Sequence, residues 1–161
     1  MEAYLLNGYV SYTISLMNKL TRDQQCPDCG RFSNRGVSID AVIIKDGEVL
    51  LVQRGVEPNK GFWAIPGGYV EWDETTEQAV AREVMEETSL RVGQCALVGA
   101  RSSPERHPKQ VINLIYRVAV DHGDPRAGDD VTDVKWFPLD DLPHPLALDH
   151  KQNIEDALEL A

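Results

Sequence analysis

The chain has 161 residues, 42% of them hydrophobic, and 26 acidic side chains against 16 basic ones give a formal net charge of −10. That size and apolar fraction suit one ordinary domain, and three Trp with five Tyr argue against disorder. The acid surplus excludes nonspecific nucleic-acid binding, which needs Lys and Arg to release counterions, and no apolar run reaches the roughly 18 residues of a membrane span.

The stretch from Met1 to Leu20 is mildly apolar but opens with Glu2 and lacks the basic start of a secretion signal, so a cytoplasmic protein is expected. Cys26, Cys29 and Cys95 are odd in number, which argues against a disulfide framework. Residues 1–36 are weakly patterned and read as an N-terminal extension, with 37–161 as the main domain. The extension carries Cys26-Pro-Asp-Cys29-Gly, one knuckle of the zinc-binding type, whereas a structural zinc takes two. Three readings stay open: a knuckle without metal, Zn2+ shared between the chains of a dimer, or a site completed by a histidine.

From Val37 the pattern sharpens. Ile39, Ala41 and Ile43 alternate with Ser38, Asp40 and Val42 as a strand, Asp46-Gly47 makes a hairpin turn, and Val49 to Val52 return. Residues 55–68 read as loop, punctuated by Gly61, Pro66, Gly67 and Gly68, and Tyr69 to Trp72 as a short extended piece. Thr75 to Thr88 is the best helix in the chain, with Thr75 and Gln78 spaced as a capping box. Strands are expected at Ala96–Ser102, Val111–Val120 and Val134–Phe137. Asp149 then caps a last helix with Ile154, Ala157 and Leu158 on one face. The set predicts an α+β sandwich of helices packed on a mixed sheet.

The chemistry concentrates in one segment. At 100° per residue, Glu83, Glu86 and Glu87 share an arc of roughly 100° that borders the apolar positions Val80 and Val84. Crowded acids near a helix C-terminus repel each other and oppose the macrodipole. Arg82 offsets part of this by pairing with Glu86, yet it cannot neutralise three carboxylates. A hard divalent cation would. A solvated acidic helix face is the plainer alternative. Gly67-Gly68 weighs against it, because two glycines let the backbone approach a ligand and offer it a carbonyl oxygen.

Gly68, five residues, Glu74, seven residues, then Arg82-Glu83-Val84-Met85-Glu86-Glu87-Thr88-Ser89-Leu90 resembles the Nudix box. Every fixed position of that signature is matched except one, where Ser89 replaces the usual glycine. Gly61-Phe62-Trp63-Ala64-Ile65-Pro66 is similar to the family's lead-in and Trp136-Phe137-Pro138-Leu139 to its closing strand, so the resemblance covers about residues 37–160. It implies a Nudix α/β/α sandwich and hydrolysis of a diphosphate bond with Mg2+, for which Mn2+ can substitute. Glu83, Glu86 and Glu87 with the Gly67 carbonyl would hold the metal, Arg82 would fix a glutamate by a salt bridge, and Glu74 would support the helix start. Serine at position 89 costs about 1 kcal/mol if the helix ends in a left-handed residue there.

The family's catalytic base is either a box glutamate or an acid on a later loop, which leaves Glu83, Glu86, Glu105, Asp129 and Asp130 open. Ser102-Ser103-Pro104-Glu105-Arg106-His107-Pro108 is similar to a segment of ADP-ribose pyrophosphatases. Arg54, Trp63, Glu105 and Arg106 are therefore candidates for substrate contact, against rim charges and a core aromatic as the plainer readings. The implied partner is a small nucleotide, with ADP-ribose first and nucleoside triphosphates or NADH- and FAD-type dinucleotides as alternatives. A noncatalytic nucleotide sensor is the alternative of another class, and a homodimer is expected by analogy with relatives.

Overall fold

In the computed structural model the described residues are 5–6, 9–10, 25, 30, 34–57 and 59–159. Cys26 and Cys29 fall outside them, and with them the expectation of a zinc knuckle. The chain divides into two units, Met1–Asn34 and Arg35–Ala161. In the first, β1 (Leu5–Leu6) and β2 (Tyr9–Val10) pair antiparallel.

The second unit begins with β3 (Val37–Lys45) and β4 (Glu48–Arg54), joined through the Asp46-Gly47 turn, where both residues have positive φ. There follow β5 (Trp63–Ala64), β6 (Gly67–Tyr69), α1 (Thr76–Thr88), β7 (Val92–Arg101), β8 (Ile112–Val120), β9 (Val131–Pro138) and α2 (His150–Glu159). The strands form a mixed sheet in the order β5-β4-β3-β8-β7, with β6 also pairing with β3 and β9 with β4. Among the described strands β3 and β8 run parallel, from Val37 opposite Ile112 to Ile43 opposite Val118, and an isolated bridge from Trp63 to Leu146 is also parallel.

Alternate residues of β3 serve two cores. Ile39, Ala41 and Ile43 pack with Leu50 and with Ala79, Val80 and Val84 of α1, whereas Val42 joins Val49, Leu51, Ile115 and, from α2, Ile154 and Ala157. A helix therefore covers each face of the sheet, which is the expected sandwich. Burial on both sides also makes Ile39 to Ile43 a continuously buried run, where one-sided alternation was anticipated. No helix of the described residues is long and apolar enough to cross a membrane.

Element boundaries differ from expectation where patterning is weak. β7 starts at Val92 rather than Ala96 and β9 at Val131 rather than Val134. β7 is an edge strand with two register shifts and little buried surface, so it carries no apolar alternation to read. β5 lies where loop was expected, being too short to signal, and β6 falls at Gly67–Tyr69 rather than over the extended piece expected at Tyr69–Trp72. On α2, Leu158 is 39% exposed, and the inward face is His150, Asn153, Ile154 and Ala157.

Candidate active site

The α1 helix starts as its sequence dictates. Gln78 N–H donates to Thr75 Oγ1 at 3.2 Å, and Thr75 N–H to Gln78 Oε1 at 2.7 Å, closing the capping box. At the other end Ser89 adopts the left-handed conformation (φ 60°, ψ 14°) and its N–H reaches Met85 O at 3.0 Å. Serine thus takes the backbone shape that glycine usually supplies, and the helix ends without losing an acid.

Arg82 is the hub of the segment. Its guanidinium forks Glu74, with Nε to Oε2 at 3.1 Å and one terminal nitrogen to Oε1 at 2.8 Å. That nitrogen also donates to Tyr69 O at 2.9 Å, and the other reaches Glu83 at 2.8 Å and Glu86 at 3.1 Å. Glu74 in turn accepts the Glu71 N–H at 2.7 Å, across a turn in which Asp73 has φ 67°. A single cation thereby ties the glycine loop, the helix start and two acids together.

The glycines are required by close approach. A Cβ on Gly67 would stand 2.2 Å from Ile39 O, and one on Gly68 would stand 2.2 Å from Glu83 Oε1. Gly67 N–H donates to Glu87 Oε2 at 3.0 Å, so the loop backbone and the buried helix acid touch directly.

Burial shapes the electrostatics. Glu83 and Glu87 are both buried. Desolvation pushes the Glu87 carboxyl up to about 8; the Gly67 N–H and the charge of Arg54 pull it down, while Glu83 and Asp130 add to the rise. Desolvation likewise raises Glu83, against the pull of Arg82. A buried carboxylate held so far from its ordinary value is one whose neighbours do not offset its desolvation. An all-oxygen donor set of Glu83, Glu86, Glu87 and the Gly67 carbonyl suits a hard divalent cation. Among the described residues no three His, Cys, Asp or Glu side chains converge as a ready metal cluster. Glu83 and Glu86 are turned to Arg82 and Glu87 to the Gly67 N–H, and a cation would compete with those donors.

Glu71, Arg82, Glu83, Glu86 and Asp129 line one cleft of about 530 Å³. Asp129 arrives there because the preceding loop packs on the end of α1: Arg126 N–H donates to Thr88 O at 2.8 Å and Gly128 N–H to Glu87 O at 3.3 Å. Gly128 has no room for a side chain, since a Cβ would lie 2.4 Å from Glu86 O. Asp130 O accepts the Gly55 N–H at 2.8 Å, which brings the end of β4, with Arg54, beside the acids.

Other candidates lie elsewhere. Glu105 is exposed on the loop between β7 and β8 and is not among the residues lining the acidic cleft. Arg106 on the same loop forks the Asp149 carboxylate, with both contacts at 2.7 Å, which also takes the side chain expected to cap α2. Trp63 packs edge-on to Phe137 with centroids 4.7 Å apart, and the Lys135 ammonium stands 5.5 Å from its ring. Sequence reading missed Asp40, His150 and Asn153, a buried polar group on β3 and α2. Their spacing on α2 matches that of apolar core positions, so the only available signal was polar residues on a face that should be oily.

A NUDIX domain profile matches residues 34–157 of the chain. An ADP-ribose pyrophosphatase of Methanocaldococcus jannaschii is 44% identical over 121 residues, 74% of this chain and 71% of that protein. Among solved structures, the NUDIX domain of Shewanella oneidensis NrtR complexed with ADP ribose is 33% identical, with a TM-score of 0.73 over 80% of this chain and 90% of that one. An ADP-ribose pyrophosphatase from Streptococcus suis is 27% identical, with a TM-score of 0.68 over 79% and 92%.

Proposed function

The chain belongs to the NUDIX family, and from that premise we propose that it is a Mg2+-dependent pyrophosphatase acting on a nucleoside diphosphate derivative, ADP-ribose first. The observation that carries the reading is the contact of buried Glu83 and Glu87 with the Gly67-Gly68 backbone. Glu83, Glu86, Glu87 and the Gly67 carbonyl would hold the cation, which would supply neutralisation of charge on the diphosphate and a more acidic attacking water.

The chain's own residues then do the following. Arg82 keeps Glu83 and Glu86 oriented and holds Glu74 at the helix start. Arg54, whose charge already acts on Glu87, offers a positive group to the phosphates. Asp129 takes the proton of the attacking water, a role supported by its place in the wall of the cleft; Glu105 has no such support. Water enters across the P–O–P bridge, leaving a nucleoside monophosphate and a phosphorylated sugar.

The named relatives support ADP-ribose over other diphosphates. The test is a panel of ADP-ribose, NADH, FAD, diadenosine polyphosphates and oxidised nucleoside triphosphates with Mg2+, resolved by chromatography. AMP from ADP-ribose, released faster than from the others, is the expected result. No turnover of any member would replace the enzyme with a nucleotide sensor. Light scattering on the same preparation reports the homodimer, and elemental analysis reports Zn2+ at Cys26 and Cys29.

A further inference from the structure

Pro66 has no N–H, and β5 ends at Ala64, so the backbone entering the glycine loop has few donors with which to anchor itself. One of them is the N–H of Ile65, whose side chain is buried in the α2-facing core. A buried N–H needs an acceptor. It finds one 85 residues away, at Nδ1 of His150 on the first turn of α2, at 2.8 Å.

His150 is itself buried and braced. Its Nε2 stands 3.6 Å from Asp40 Oδ2, and the same Asp40 oxygen accepts the Asn153 amide at 3.0 Å. Asn153 accepts Arg101 Nε at 3.1 Å, which fixes which way its amide faces. Asp40 pairs across the sheet with Gly67, and Pro66 O accepts the Ala41 N–H at 2.8 Å. Burial lowers the imidazole's proton affinity, which keeps the ring neutral with a lone pair free at Nδ1.

We propose that His150 is a positioning residue for the cation site: by accepting the Ile65 N–H it fixes the Ile65-Pro66-Gly67 backbone from the α2 side, so that Gly67 meets Glu87 on the α1 side. The sheet stands between the two helices, and this short segment is where they act on the same stretch of chain. The inference rests on the assignment of Gly67 and Glu87 to cation binding. Its effect is on the cation's affinity, because the ring touches neither metal nor substrate.

The test uses the full chain and Mn2+, with free ion counted by electron paramagnetic resonance. His150→Asn places an amide oxygen where Nδ1 now stands, and His150→Gln places its polar end toward Asp40, leaving Ile65 without an acceptor. Both keep a polar side chain of similar size, and circular dichroism reports whether each folds. His150→Gln is expected to bind Mn2+ about tenfold more weakly and His150→Asn within about threefold of wild type, the range seen when supporting groups around a metal are removed. Equal affinity in all three proteins overturns the proposal, and so does an equal loss in both variants, which would mark a packing role. Absence of Mn2+ binding in wild type would instead overturn the cation-site assignment beneath it.

Discussion

A side-chain carbon on Gly68 would collide with the carboxylate of Glu83, whereas one on its neighbour Gly67 would collide with the backbone oxygen of Ile39. Adjacent glycines thus guard different things. The Glu83 carboxylate is the end of a flexible side chain and can swing away, but the Ile39 carbonyl belongs to a central strand. Gly68→Ala is expected to keep the fold and lose most activity, with a thermal midpoint near wild type. Gly67→Ala is expected to destabilise by about 1–3 kcal/mol, as overpacking against fixed atoms does. Thermal melts beside turnover assays separate the two; similar midpoints for both variants would contradict the contrast.

Glu87→Gln removes a buried charge but keeps an oxygen for the Gly67 N–H. Turnover should fall by about 100-fold or more, as when charge stabilisation at the reacting centre is removed. The metal-free variant should nonetheless melt higher than metal-free wild type above about pH 4.5, where the unfolded carboxyl ionises and the buried one does not, by a margin that grows until about pH 8. A variant that turned over normally would show that Glu87 holds no cation.

Ser89→Gly relieves a left-handed serine at the end of α1. The strain it removes exceeds the backbone entropy that glycine adds, so stability should rise by about 0.5–1 kcal/mol, a few degrees in the melt. Activity should be unchanged, because no acid moves. A lower midpoint would mean that the Ser89 hydroxyl's 3.4 Å contact with Arg126 O matters more than the backbone.

His150 titrates against the fold. Its folded-state pKa lies below the ordinary 6.5 because burial disfavours the cation; Asp40 and Asp149 oppose this, and Arg106 and Arg54 add to it. The unfolded chain therefore takes up a proton that the folded one refuses. The stability this group contributes is present above pH 6.5 and is lost as pH falls from there toward the folded value, by at most about 1.4 kcal/mol per pH unit. Denaturation at pH 7.5 and 5.5 should show a larger loss for wild type than for His150→Asn. Parallel losses in the two proteins would exclude the histidine as the cause.

Much of the candidate site's geometry was legible because it is local. Thr75 and Gln78, Arg82 and Glu86, and the three glutamates all lie within one helix, where spacing fixes direction. Ser89 also announced its own conformation, since a box glycine is needed there only for its backbone shape. What the sequence concealed depends on partners far along the chain. Asp40 looks like the polar half of an alternating strand until α2 covers that face, and His150 and Asn153 are polar residues at core spacing whose partner on β3 no local pattern names. The proposal of Asp129 over Glu105 as the base likewise draws on the packing of the loop before β9 on the end of α1, which no short-range pattern encodes.

The parallel pairing at the middle of the sheet joins Ser38 to Asn113, 75 residues apart in the chain. The hairpin of β3 with β4 and the α1 helix need only near neighbours, but neither acquires its second covering layer until that wide loop closes. Such closure is slow relative to helix or hairpin formation. In water the acids of α1 repel one another only weakly, and their crowding costs more once packing against the sheet buries Glu83 and Glu87.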